Sequence, residues 1–352
     1  MATEFYFIAT GVGSLPHHDP EGACEVVLSY MPEAPHWPQL PKLDPREGMI
    51  NQFLDGMPGL VEENDKVFLR SPFEPPEEWN EFFSRYDEED LDYFAIRPER
   101  AQGLYRFLEL VKRCDTPFVK GQVTGPITLG LSIKDEDGRL SLFDEGLRDM
   151  IVKLVSMKAR WQERVFSEVL PKARGIIFFD EPILSAYGSP YMNLNREIVV
   201  DTLRETIRRV NGFRGVHICG NTDWPMIMEV GFDIIDFDAY NHLSSFILYA
   251  EELKAFFECG GAVGWGIIPT ETEALGRIAI EQLFRRLEEG IMSLVQRGIA
   301  EDMLYQGSLI TPSCGTGLLS RAEAEKVYAG TKDISNRFRE RFKTDQTRPK
   351  SA

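Results

Sequence analysis

The 352-residue chain has no long hydrophobic run. No stretch reaches the roughly 20 apolar residues that a membrane-spanning helix needs. Positive charge is scarce: 39 Lys and Arg stand against 56 Asp and Glu, a net charge of −17. So acidic a surface repels phosphate backbones and anionic lipid headgroups, so neither nucleic acid nor membrane is an expected partner. Cysteines are few, five at scattered positions, with no Cys-x-x-Cys pair. An odd, scattered set argues against a disulfide framework, and the paired knuckles of structural zinc are missing. No positively charged segment precedes an apolar one at the N-terminus, as a secretory signal requires, so a reducing cytoplasm is the expected setting. The phosphate-cradling and nucleophile-elbow motifs are absent as well. Gly11-x-Gly13 is not completed, because position 16 is Pro16, and neither a Walker A loop nor Gly-x-Ser-x-Gly occurs.

What the chain does have is ordinary globular composition, 43% hydrophobic and 27% charged, with ample length for a core. Eight short apolar runs read as strands: Phe5–Thr10, His36–Pro41, Pro117–Val123, Gly175–Phe179, Gly215–Cys219, Phe232–Phe237, Ala262–Ile267 and Leu304–Thr311. Such runs are the pattern of parallel strands buried on both faces, although prolines make the second a poor strand. The segments between them suit helices. Residues 143–170 carry Leu147, Met150, Ile151, Leu154, Val155 and Trp161 near helical spacing, and 196–210 follow Asn195, a good N-cap. Residues 273–298 and 321–342 are long and amphipathic. Strand–helix alternation with eight strands predicts an α/β fold, a single (β/α)8 TIM barrel over residues 1–345. Residues 60–98 are acidic, aromatic and Pro-containing, as in Phe73-Glu74-Pro75-Pro76-Glu77-Glu78-Trp79, and break the pattern. They predict a helical and loop insertion after the second strand, serving as a lid over one barrel end or as a plain surface excursion. Residues 346–352 read as a tail.

Polar residues cluster at the C-terminal ends of these strands, where barrel active sites are built. His217 and Cys219 are two apart on a strand and share a face, and Cys314 ends the eighth strand. An imidazole and two thiolates suit Zn²⁺ with a fourth position left over. One satisfied histidine and two buried thiols would give the same spacing. Asp180-Glu181-Pro182 places two carboxylates after an apolar strand. Buried there, they need a cation such as a substrate ammonium, or they cap a helix that starts at Pro182. The turns Gly11-Val12-Gly13-Ser14 and Thr124-Gly125-Pro126 let backbone N–H groups approach a ligand, or are simply tight turns.

In order along the chain, Gly13-Ser14-Leu15-Pro16, Thr124-Gly125-Pro126, Asp180-Glu181-Pro182, His217-Ile218-Cys219 and Pro312-Ser313-Cys314-Gly315 resemble the C-terminal catalytic barrel of cobalamin-independent methionine synthase. The wider superfamily includes methylcobamide:coenzyme M methyltransferases and uroporphyrinogen decarboxylase. The resemblance implies a zinc-dependent methyltransferase acting on a small, homocysteine-like thiol. It implies His217, Cys219 and Cys314 as zinc ligands, with Asp238 at the place of a fourth, longer carboxylate. It implies Asp180 as the catalytic-site aspartate that grips the amino acid's ammonium, with Ser14 holding its carboxylate and Thr124 beside them. Two positions depart from the family: Asn51 stands where a second ammonium-binding glutamate is expected, and Ile268 where a histidine is. The chain is also about half the length of the two-barrel folate-dependent enzyme. These departures admit methylcobalamin on a corrinoid protein as methyl donor beside methyl-folate. Two other readings stay open: a uroporphyrinogen decarboxylase-like lyase, which would need basic residues around the barrel mouth, and a non-catalytic barrel that carries a methyl group or a metal.

Overall fold

The structure, a computed structural model, describes residues 4–63, 66–70, 77–189, 192 and 194–346. Nine strands occur along it: β1 (Ile8–Ala9), β2 (Leu60–Glu63), β3 (Lys66–Leu69), β4 (Phe118–Thr124), β5 (Arg174–Asp180), β6 (Phe213–Ile218), β7 (Ile234–Phe237), β8 (Ala262–Ile268) and β9 (Ser308–Pro312). Seven form one parallel sheet in the order β1-β9-β8-β7-β6-β5-β4, while β2 and β3 make a separate antiparallel hairpin. The expected α/β barrel architecture is therefore present, with seven ladder strands rather than eight.

The missing strand is the expected His36–Pro41. Pro35, Pro38 and Pro41 remove three ladder donors, so the segment cannot pair regularly. It nevertheless fills the eighth position. Phe118 and Lys120 of β4 donate backbone N–H to Glu33 and Pro35 at 3.1 and 2.9 Å, and Leu15 and Gln39 exchange bonds across the other edge, Leu15 to Gln39 and Gln39 to Gly13, at 2.9 and 3.1 Å. Parallel bridges join Ser14 to Gln39 and His36 to Lys120.

Alternation along the strands sorts the barrel's contents. Phe118, Ile176, Phe178, Phe213, Ile234, Ala262 and Leu309 form an apolar cluster of their own, separate from the larger core under the helices. Their parity neighbours toward the C-terminal ends are Lys120, Gln122, Asp180, His217, Asp236 and Thr311, all buried. The same period that fills the floor with hydrophobic side chains thus lifts polar ones to the mouth.

The helices that matter below are α1 (Glu77–Asp87), α2 (Pro126–Ser132), α3 (Glu145–Val169), α4 (Ala239–Phe246), α5 (Thr272–Arg277), α6 (Ile280–Gln296), α7 (Glu301–Gln306) and α8 (Arg321–Gln346). The helix expected over 273–298 is two, α5 and α6, broken where Ile278 and Ala279 adopt extended backbone. The strand expected from Leu304 begins at Ser308, because 301–306 form α7. Of the aromatic run in the insertion, residues 71–76 lie outside the described residues. The end of α1 and the turn after it lie on the barrel flank, where Glu89 pairs with Arg160 and Arg209 and Lys153 of α3 sits over the Tyr86 ring at 5.2 Å, while the β2–β3 hairpin bridges Leu69 to Asp135 and pairs Glu62 with Arg100. Residues 347–352 of the expected tail are likewise outside the described residues, and α8 runs to Gln346. Among the described residues no helix is long and apolar enough to cross a membrane.

Candidate active site

The mouth of the barrel holds a cavity of about 340 Å³. Val12, Ser14, Gln39 and Pro41 line it from the first two strand positions, Glu47 and Met49 from the loop that follows, and Asp180 and Pro182 from the end of β5. His217, Cys219, Cys314, Gly315, Gly317 and Leu318 complete it. A larger depression of about 620 Å³, lined by Arg174, Asn211, Arg214 and Asp233, sits at the opposite ends of the strands, away from these groups.

One wall is a cluster of soft donors. The ligand atoms of His217, Cys219 and Cys314 lie within 4.8 Å of one another, the one such group among the described residues. His217 is on β6 and Cys219 just beyond it, while Cys314 follows β9, so the cluster exists only because the sheet curls β9 round toward β6. Register places Asp236 of β7 beside His217, and the imidazole Nδ1 lies 2.6 Å from Asp236 Oδ2. The hydroxyl of Thr311, on β9, donates to Asp236 Oδ1 at 2.6 Å. Nε2 of His217 is buried with no hydrogen-bond partner in strict geometry.

Electrostatics match. Burial opposes charge on His217, yet its bond to Asp236 and the nearness of the two thiols raise its pKa well above the usual imidazole value. The nearby Cys314 and then His217 pull the Cys219 thiol well down, while the neighbouring Cys219 sulfur and burial push Cys314 up. A thiolate, a second thiol and an imidazole nitrogen, mostly buried and converging, are a donor set that fits zinc.

Beside this cluster, at the end of β5 and in the loop holding Glu47, the cavity is acidic, and Asp180 pairs in register with His217. Asp180 is 5% exposed, and its Oδ1 has no partner. Burial raises its pKa to about 6, against the pull of His217 and Lys120. Lys120 spends its own ammonium on Val12 O at 2.7 Å and Gln122 Oε1 at 3.3 Å. Glu47 is held by N–H donation from Gln102 and Leu40 at 2.9 and 3.1 Å, and burial pushes its pKa up to about 7. Ser14 Oγ accepts from Gly317 N at 3.2 Å, which ties the first turn to the loop beyond Cys314.

The five motifs are therefore brought to one end of the barrel, with differing duties. Glu181 faces away from the cavity and caps α2, accepting from Ile127 N, Thr128 N and Thr128 Oγ1 at 2.9, 2.7 and 2.6 Å. Thr124 spends its hydroxyl on Met49 O at 2.5 Å and is not among the cavity-lining residues. Asn51 starts a short 3-10 turn, with its carbonyl bonded to Arg100, and does not line the cavity either; Glu47, four residues earlier, does. Asp238, expected as a fourth ligand, is not among the clustered donors. Its side chain caps α4, Oδ1 accepting from Asn241 N at 2.9 Å and Oδ2 from Asn241 Nδ2 at 2.7 Å. Asp236 and Glu47 were missed by sequence reasoning. Asp236 lay in plain view in Ile235-Asp236-Phe237-Asp238, but only the β6–β7 register shows which aspartate meets the histidine.

No family model matches the chain. A methionine synthase from Methanocaldococcus jannaschii is 30% identical over 207 residues, which cover 57% of this chain and 59% of that protein. A B12-independent methionine synthase from Shewanella sp. W3-18-1 superimposes with a TM-score of 0.61 at 14% identity, over 96% of this chain and 99% of that one. The fold is that of B12-independent methionine synthases. The resemblance seen in the ordered motifs thus holds in sequence and in architecture. A putative vitamin-B12-independent methionine synthase from Listeria monocytogenes (TM-score 0.57, 13% identity, 96% and 98% covered) and a methyltransferase from Methanosarcina mazei (TM-score 0.54, 14% identity, 90% and 86% covered) share the architecture. The sequence match takes in three-fifths of the methionine synthase it aligns with.

Proposed function

We propose that this methionine synthase-like chain is a methyltransferase that moves a methyl group onto the thiol of a small, homocysteine-like amino acid, with zinc held by His217, Cys219 and Cys314. The observation that carries the reading is one cavity that brings together a soft-donor cluster and, one strand over from His217, a buried carboxylate, Asp180, whose Oδ1 has no partner. Zinc in that donor set supplies a Lewis acid that lowers a thiol's pKa, so that a nucleophilic thiolate exists at neutral pH.

The chain's own residues do the rest. Asp180 receives the substrate's ammonium, which relieves the cost of its burial. The Ser14 turn, tied to residues 315–317 by the Gly317 and Thr316 N–H groups, lines the same cavity and in this reading meets the substrate's carboxylate. Holding both ends of the amino acid fixes where its sulfur lies, and orientation of that kind is worth several orders of magnitude in rate. The methyl donor in this reading is a methyl-corrinoid on its carrier protein or a methyl-folate. An apolar depression of about 550 Å³, lined by Leu131, Leu140, Phe143, Ile183 and Met192, shares Pro182 with the cavity and gives a donor a place to approach. We assign the protein to a reducing cytoplasm, where the paired thiols stay available.

A decarboxylase of polycarboxylate substrates fits less well, because no Arg or Lys is among the described residues lining the cavity. The test is metal analysis of protein purified without chelator. We expect one zinc per chain, lost in Cys219→Ser and in Cys314→Ser. Wild-type protein without zinc, or serine variants that keep it, would sink the proposal.

A further inference from the structure

We infer that Asp236 is a positioning residue for the metal site: it holds the proton of His217 on Nδ1 and so dedicates Nε2 to the metal. The inference rests on the zinc reading above. Asp236 is 2% exposed, and both of its carboxylate oxygens are engaged in the barrel interior. A carboxylate can only accept hydrogen bonds, so Oδ2 requires a proton on His217 Nδ1 at the 2.6 Å contact. The nitrogen left over, Nε2, is the one aimed at the two thiols and without a partner of its own.

Asp236 is itself braced. Thr311 donates to Oδ1 at 2.6 Å, which stops the carboxylate from rotating about its bond to Cβ. On β8, Gly264 stands beside Asp236 in register, and any Cβ there would run into that carboxylate. Three neighbouring strands thus commit a position each to one buried acid. That investment is out of proportion for a surface-type ion pair, because a buried charge is costly unless its bonds are complete. It is the arrangement expected of an outer-sphere carboxylate, which orients a metal-binding imidazole and raises its basicity. It also accounts for Asp238, two residues on. With Asp238 committed to Asn241, three side chains of this chain would hold the metal, and a fourth position would be open to a substrate sulfur.

The test compares wild type with Asp236→Ala and Thr311→Val. Zinc affinity is measured by competition with a chromophoric chelator. In protein loaded with ¹¹³Cd, the ¹⁵N spectrum of His217 is read, identified among the five histidines by its loss in His217→Gln. We expect wild type to show cadmium coupled to Nε2 and a slowly exchanging proton on Nδ1. Asp236→Ala should lose zinc affinity by about 10- to 100-fold and lose that slow proton. Thr311→Val, which keeps the acid and removes its brace, should lose less affinity, and it carries the test if the alanine variant does not fold. A merely structural aspartate would lower thermal stability and leave metal affinity and the His217 spectrum unchanged in both variants. That result, or coupling to Nδ1 in wild type, overturns the inference. Wild type that takes up no zinc overturns the proposed function instead.

Discussion

Asp180 shows at the level of one residue how the site is tuned. It is an acid whose burial raises its pKa to about 6. Its proton is therefore held below pH 6, and its charge is available above. An ammonium prefers the ionised form, so binding of an amino-acid thiol should strengthen as pH rises to about 6 and then level off. Below that point the affinity should fall by up to tenfold per pH unit. Calorimetric titration with L-homocysteine from pH 5 to 8 checks this, and Asp180→Asn should bind weakly with no break near 6. A break that survives in Asp180→Asn belongs to some other group. Residues of this kind were legible in the sequence where spacing alone decides, as for His217 and Cys219, two apart on a strand. Asp236 and Glu47 were not. Their neighbours come from other strands and loops, and no local pattern states a register.

At the scale of an element, the end of β5 and the start of α2 depend on one another. Glu181 satisfies three donors at the helix start, and the Gly125 position is so close to its carboxylate that a Cβ would collide with it. The Asp180-Glu181-Pro182 motif thus divides between a cavity acid and a helix cap, and the sequence left both readings open. Removing the cap in Glu181→Ala leaves buried N–H and O–H groups without partners, at a cost of about 2–4 kcal/mol. Gly125→Ala should destabilise by a similar amount through the same contact. Urea unfolding at unchanged m-value measures both. If either variant unfolds at the wild-type midpoint, the cap is not structural. Strand positions were readable from apolar runs, but element ends were not. The 273–298 helix breaks at Ile278 and Ala279, and 301–306 coil into α7 ahead of β9, where the local pattern gave no stop.

Across the whole molecule, the barrel joins residues that the chain keeps far apart. His217 and Cys219 come from β6 and Cys314 from beyond β9, while Ser14 approaches from β1. The barrel was legible because eight apolar runs alternate with amphipathic segments. The proline-rich 33–41 seam was only half legible, since its bonds to both neighbouring edges depend on the curl of the sheet rather than on strand propensity. The insertion's place on the flank was not legible at all, because composition does not say which face a segment covers. A barrel that presents two thiols and an imidazole to one cavity leads the proposed function to a single demand: zinc sits there with room for a substrate sulfur. Zinc-edge X-ray absorption on the purified protein measures this most directly. The account expects two sulfur ligands and one imidazole nitrogen in the free protein, and three sulfurs after addition of L-homocysteine. Zinc whose sulfur count is unchanged by the thiol, or protein with no bound zinc, would contradict it.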